Sequence, residues 1–176
     1  MNLEKYTLFK KKKNYFLSTR KMHYDMMEIL QGKTIIVGIG NPMRGDDGFG
    51  PALIKTLVGK IDAVCIDAGN APENFTGVIK QHKPDTILVI DAVHLDLVPG
   101  EYRFINPDEL AVTGFSTHAY SLTLFIDYVR TETSAMLYLL GIQPKTTTFN
   151  AGLSSELQET LATLSRLIIE AYQKNR

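Results

Sequence analysis

The chain has 176 residues, 44% of them hydrophobic, which is enough for one well-buried domain and too few for two comfortable ones. Lys+Arg and Asp+Glu are equal at 19 each, so no global charge points to nucleic acid. The single cysteine, Cys65, excludes an intrachain disulfide and any zinc site built from cysteines, and it suits a cytoplasmic protein.

The charge is unevenly spread. Residues 1–22 carry seven Lys/Arg against Glu4 alone, a local net of +6, which leaves −6 for a mildly acidic remainder. The segment "LFKKKKNYFLSTRKMHY" has neither the apolar core nor the small-residue cleavage site of a signal peptide. Residues 1–32 are therefore expected to be a basic, solvated or loosely helical extension, with one α/β domain over 33–176. No run reaches the length of a transmembrane helix.

"KTIIVGIG" (33–40) is a β-branched run ending in glycine, a buried strand by composition. "DDGFGPALIKTLVGK" reads as a helix capped by Asp46 or Asp47, with Pro51 in its first turn and Gly59 closing it. A second strand is expected over 62–69, with Cys65 as a small buried residue rather than a nucleophile. A helix begins at Pro72-Glu73 and stops before Pro84. "DTILVIDAV" (85–93) is the strongest strand signal in the chain. A short strand near 101–105, suited to an antiparallel edge, precedes a helix over 116–130 with a Ser/Thr cap. Residues 134–144 form another buried strand, and an amphipathic helix with Glu early and Lys/Arg late ends the chain.

Near-continuous apolar strands alternating with helices indicate a doubly wound α/β domain with a mostly parallel sheet. Ligands in such folds bind beyond the carboxyl ends of the strands, at the point where strand order reverses. The segments reaching that edge are the loop 40–48, Asp67 to Glu73, and Asp91 to Asp96, and each carries acid.

"GIGNPMRG" begins like a dinucleotide fingerprint, but Met43 stands where the third glycine should be. There is no G-K-[ST], and Asp46 and Asp47 would occupy the position a phosphate needs at a helix N-terminus. "DDG" lacks the alternating oxygens of an EF-hand loop. No G-x-S-x-G elbow supports a serine hydrolase. The remaining set is Asp47, Asp91 and a histidine, N/O donors suited to nickel, zinc or manganese. His23 and His82 are poorly placed, whereas His118, at a helix start, and His94, three residues after Asp91, both qualify. Spacing alone ranks His118 slightly ahead of His94, and it favours a plainer reading in which Asp47 and Asp91 are a helix cap and a loop carboxylate and His118 a surface residue.

"GIGNPMRGDDGFGP", "DAGNAPENFTGVI", "ILVIDAVHLDLVPGEYRFINPDEL", "STHAYSLTLFIDYV" and "YLLGIQP" resemble, in this order, the nickel-iron hydrogenase maturation endopeptidases. The likeness is greatest to the branch that processes the large subunit of the hydrogenase 3, or formate hydrogenlyase, type. The resemblance covers about residues 33–145. It implies a three-layer α/β/α sandwich with a five-stranded sheet. It also implies one endoproteolytic cut that removes a C-terminal extension from the large-subunit precursor after nickel insertion.

The family's metal-contacting residues fall on Asp47, Asp91 and His118. Asp46 falls on a position expected to serve as a structural cap, and Gly40, Asn41, Gly48 and Gly50 shape the loop. Nickel supplied by the substrate is preferred to a metal resident in the enzyme, although zinc or cadmium could occupy the same donors. The expected partner is the hydrogenase large-subunit precursor, and the chain is expected to act as a monomer. Two rival readings stand beside this one, an α/β domain binding a nucleotide or flavin and an accessory protein that binds a metal-loaded partner without cutting it. The glycines of the loop are expected to let a metal-bearing protein tail come close.

Overall fold

The computed structural model of the chain describes residues 19–106 and 119–175. Its elements are α1 (Thr19–Ile29), β1 (Thr34–Ile39), α2 (Phe49–Leu57), β2 (Val64–Gly69), α3 (Thr76–His82), β3 (Thr86–Ala92), β4 (Tyr102–Ile105), α4 (Ala119–Glu132), β5 (Met136–Ile142) and α5 (Ser155–Lys174). Single 3-10 turns at Gly45–Gly48 and Pro72–Phe75 lead into α2 and α3. The helix expected to start at Asp46 therefore begins as a tighter turn and becomes α-helical only at Phe49.

The sheet has five strands in the order β2-β1-β3-β5-β4. Four run parallel, and β4 pairs antiparallel with β5 at one edge, Tyr102 opposite Ile142. β1 and β3 are buried along their whole length, as the unbroken apolar runs required.

Alternation along these strands builds two cores. Ile36, Leu88, Ile90, Leu140 and Ile142 face the layer formed by α1, α2 and α5. Ile35, Val37, Ile39, Ile87 and Val89 face α3 and α4 on the other side. The result is a three-layer α/β/α sandwich. Among the described residues no helix is long and apolar enough to cross a membrane.

The expected solvated extension does not hold as far as residue 32. α1 lies within residues 1–32, yet Met22 and Met26 are fully buried and Ile29 and Leu30 nearly so. They pack in the same core as Leu164, Leu167 and Ile168 of α5. The physical reason is the i, i+4, i+7 spacing of these residues, a helical stripe that the neighbouring run of lysines obscured. Cys65 also differs from expectation. Because β2 is an edge strand the residue is half-buried, and burial pushes its thiol up, away from thiolate character.

Met22→Ala and Met26→Ala should each cost about 2–4 kcal/mol in urea unfolding. Tyr24→Ala, on the exposed face of the same helix, should change stability by less than about 0.5 kcal/mol. Equal, small effects at all three positions would show that α1 is not docked.

Candidate active site

From β1 the chain moves outward to β2 and then crosses back over β1 to β3. Strand order therefore reverses between β1 and β3, and the crevice of this fold opens beyond their carboxyl ends. Two buried carboxylates, Asp47 and Asp91, belong to the segments that meet there.

The loop 40–48 is closed by its own backbone and side chains. Arg44 N–H donates to the Asn41 carbonyl at 2.9 Å, and Asp47 N–H to the Arg44 carbonyl at 3.1 Å. The Asn41 N–H in turn donates to Asp47 Oδ2 at 2.9 Å, so the carboxylate is held by the first residue of its own turn. Gly40 has φ +133°, and a Cβ there would lie 1.8 Å from the Asp47 carbonyl oxygen. Only glycine fits that closure.

Behind the turn, α2 sits directly on the sheet. A Cβ on Gly50 would lie 2.3 Å from the Ile39 carbonyl oxygen and 2.8 Å from that of Ile90. The space these glycines leave is filled by the chain itself. The expectation that they admit a partner is thereby corrected, because close helix-strand packing is what requires them.

Asp46 and Asp47 are adjacent but do different things. Neither is the N-cap residue of α2, a place taken by Gly48. The fully buried Asp46 carboxylate instead accepts four bonds from the segment that follows β5. Lys145 N–H (2.8 Å) and Thr146 N–H (3.0 Å) reach Oδ2, joined by the Ser154 hydroxyl (3.0 Å). Ser154 N–H donates to Oδ1 at 2.7 Å. A return bond runs from Asp46 N–H to the Thr146 carbonyl at 2.9 Å. The segment 145–154 is thus clamped onto the turn that aims Asp47.

Asp91 is fully buried near the end of β3, paired with Gly141 of β5. By alternation it shares the strand face of Ile87 and Val89, the side covered by α3 and α4. The Gly45–Gly48 turn packs against β3, which brings the segments of Asp46, Asp47 and Asp91 together. His118, the expected third group, lies outside the described residues. The residue after it, Ala119, opens α4. At 14 residues that helix is about 21 Å long, roughly the depth of the sheet. Its last residue, Glu132, comes shortly before Met136 at the amino edge, and the helix also touches the Pro72–Phe75 turn beyond β2. The N-terminus of α4 therefore stands at the carboxyl edge, the edge of Asp47 and Asp91.

The other candidates separate cleanly. His94 is exposed on the loop after β3, and His82 ends α3 at the opposite edge. His23 sits between α1 and α5, its Nε2 3.2 Å from Lys174 Nζ. Asp67 and Asp96 face solvent. Among the described residues no three His, Cys, Asp or Glu side chains gather closely enough to hold a metal ion. The rim is apolar in part. Met43 and Phe149 are largely exposed, and Asn150 N–H donates to the Met43 carbonyl at 2.7 Å, tying their two loops together. The contribution of Ser154 and the 143–146 segment was not anticipated, since a pairing across about a hundred residues leaves no periodic signal.

Comparison with known proteins places this architecture. The profile of the HycI hydrogenase maturation proteases matches residues 53–171. The hydrogenase 3 maturation protease of Escherichia coli K12 is 34% identical over 133 residues, which is 74% of this chain and 85% of that protein. The crystal structure of a NiFe hydrogenase maturation protease HycI from Thermococcus kodakarensis superposes with a TM-score of 0.76. It is 30% identical, over 85% of this chain and 99% of that one. The solution structure of the endopeptidase HycI from Escherichia coli gives 0.68 at 31% identity, over 76% and 87% of the two chains.

Asp46→Ala leaves three backbone N–H groups without their acceptor and should cost about 3–5 kcal/mol in urea unfolding. Ser154→Ala, which removes only the hydroxyl bond, should cost about 1 kcal/mol. An Asp46→Ala protein as stable as the parent would show that the clamp does not hold the segment.

Proposed function

Because the chain belongs to the hydrogenase maturation protease family, we propose that it cuts the C-terminal extension from a nickel-iron hydrogenase large-subunit precursor once nickel has been inserted. The observation that carries this reading is the meeting of the Asp47 and Asp91 segments, both carboxylates buried, at the strand-order reversal. Two buried carboxylates at neighbouring strand ends repel each other, and a divalent cation relieves that repulsion. A nucleotide phosphate would worsen it.

His118, immediately before α4, is the third group in this proposal. Two carboxylates and one imidazole contact the nickel that the precursor carries, so the metal marks a substrate ready for cutting. A resident catalytic zinc is generally held by a set richer in histidine. A modest O/O/N set fits a delivered ion better. When bound, the nickel polarises the scissile carbonyl or activates a water. Water then adds across the peptide bond, its hydroxyl to the carbonyl carbon and its proton to the departing amine. A buried carboxylate within reach of the water accepts and returns that proton. The apolar rim of Met43 and Phe149 suits a polypeptide substrate rather than a small anion.

Asp47→Asn, Asp91→Asn and His118→Ala should each slow cleavage of the nickel-containing precursor by on the order of 10²-fold or more, read as the mass loss of the large subunit. His94→Ala should leave the rate unchanged. Retained cleavage in the His118 variant with loss in the His94 variant would transfer the third role to His94. Binding of the precursor by the parent chain with no mass loss would make it an accessory protein instead.

A further inference from the structure

The loop that leaves β3 just after Asp91 does not wander over the surface. Val93 N–H donates to the Ile142 carbonyl at 2.8 Å, so the loop starts out attached to β5. Its continuation wraps around a single side-chain atom. Gln143 Oε1 accepts Leu95 N–H at 2.7 Å and Leu97 N–H at 3.4 Å. Between them Asp96 adopts a left-handed conformation, φ +55°, which lets both N–H groups turn inward. The other end of the amide is also used, Nε2 donating to the Pro144 carbonyl at 3.0 Å. The backbone of Gln143 is committed to the far side, donating to the Glu101 carbonyl at 2.8 Å and accepting from Gly100 at 2.9 Å. With 8% of its surface exposed, Gln143 is a buried amide with its acceptor and donor ends both engaged.

The residues just after Gln143 are equally committed. Pro144 is buried, and the next two N–H groups, of Lys145 and Thr146, are those that bind Asp46. Four consecutive residues therefore hold the loop after β3 with a side chain and the turn after β1 with backbone. One of those segments begins beside Asp91 and the other contains Asp47. Since β5 neighbours β3 and not β1, residues 143–146 must reach past the end of β3 to make both sets of bonds.

We propose that Gln143 is a positioning residue of the active site, fixing the loop after Asp91 to the same 143–146 brace that fixes the turn bearing Asp47. It touches no substrate. Its part is to set the separation of two carboxylates that must act on one centre, and misplacing a reacting group by about 1 Å can cost on the order of 10²-fold in rate. The proposal rests on the cleavage reading for its rate prediction, and on the proposed metal contacts of Asp47 and Asp91 for its effect on cation binding.

The test compares Gln143→Leu, which keeps size and strands the Leu95 and Leu97 N–H groups, with Gln143→Glu, which keeps an oxygen for both. A third variant, Leu164→Val in the α5 layer, serves as a control that lowers stability without touching the brace. On nickel-containing precursor, Gln143→Leu should lower kcat about 10²-fold and leave KM within about threefold. Gln143→Glu should recover at least tenfold of that loss, and Leu164→Val should keep the parent kcat. A Gln143→Leu kcat equal to that of Leu164→Val would overturn the proposal. So would a Gln143→Glu variant no better than Leu.

If the parent chain does not cut the precursor, the cleavage reading fails but this one is still decided, by calorimetric titration of each folded protein with Ni²⁺. Binding weakened about tenfold in Gln143→Leu and restored in Gln143→Glu would support it, whereas equal affinities, or no binding by the parent, would overturn it. Should Gln143→Leu fail to fold, Gln143→Ala takes its place in both measurements with the same expectations.

Discussion

One buried carboxylate organises this site. Asp46, without access to water, is stable in the fold only because three backbone N–H groups and a hydroxyl converge on it. Burying a charge without such partners would cost several kcal/mol. Those donors belong to residues 145–154, so the requirement to satisfy Asp46 dictates where the whole connection between β5 and α5 must run. That connection in turn covers the turn containing Asp47. The neighbouring carboxylate is held separately, by the Asn41 N–H. Two acids side by side in sequence thus divide into an internal anchor and a candidate reacting group, and burial alone does not distinguish them. Their partners do.

The same economy governs the glycines. A turn that must bring α2 onto β1 and β3 at backbone contact leaves no room for a Cβ at Gly50, and its closure leaves none at Gly40. The tight turn fixes the Asp47 backbone against the end of β1, and the packing of the turn on β3 fixes it relative to Asp91. The Asp47 and Asp91 segments are therefore placed by the sheet and one tight turn, an arrangement that suits the proposed reaction, in which several groups act on one atom.

Much of this was legible in the sequence. Unbroken β-branched runs at 33–40 and 85–93 gave the central strands, and the acid at each strand end located the edge at which chemistry is proposed. β4 was readable as an antiparallel edge because Pro99-Gly100 turns the chain immediately before it. Three things were not legible. The docking of α1 was hidden because seven basic residues outweighed a methionine stripe in any compositional reading. The role of Asp46 was misjudged because a carboxylate before a helix resembles a cap, while its true donors lie about a hundred residues away. Gln143 passed as the end of a strand, since nothing local shows that two N–H groups from residues 95 and 97 will meet its amide oxygen. In each case a tertiary interaction decided what local pattern could not.

The central claim is that the metal is read from the substrate rather than held by the enzyme. The measurement that tests it most directly is the mass of the large subunit after incubation with the chain, itself stripped by chelator. Nickel-containing and nickel-free precursors are compared side by side. The expected result is loss of the C-terminal extension from the nickel-containing precursor alone, with no metal added to the enzyme. Equal shortening of both precursors, or none until zinc is restored to the enzyme, would contradict it.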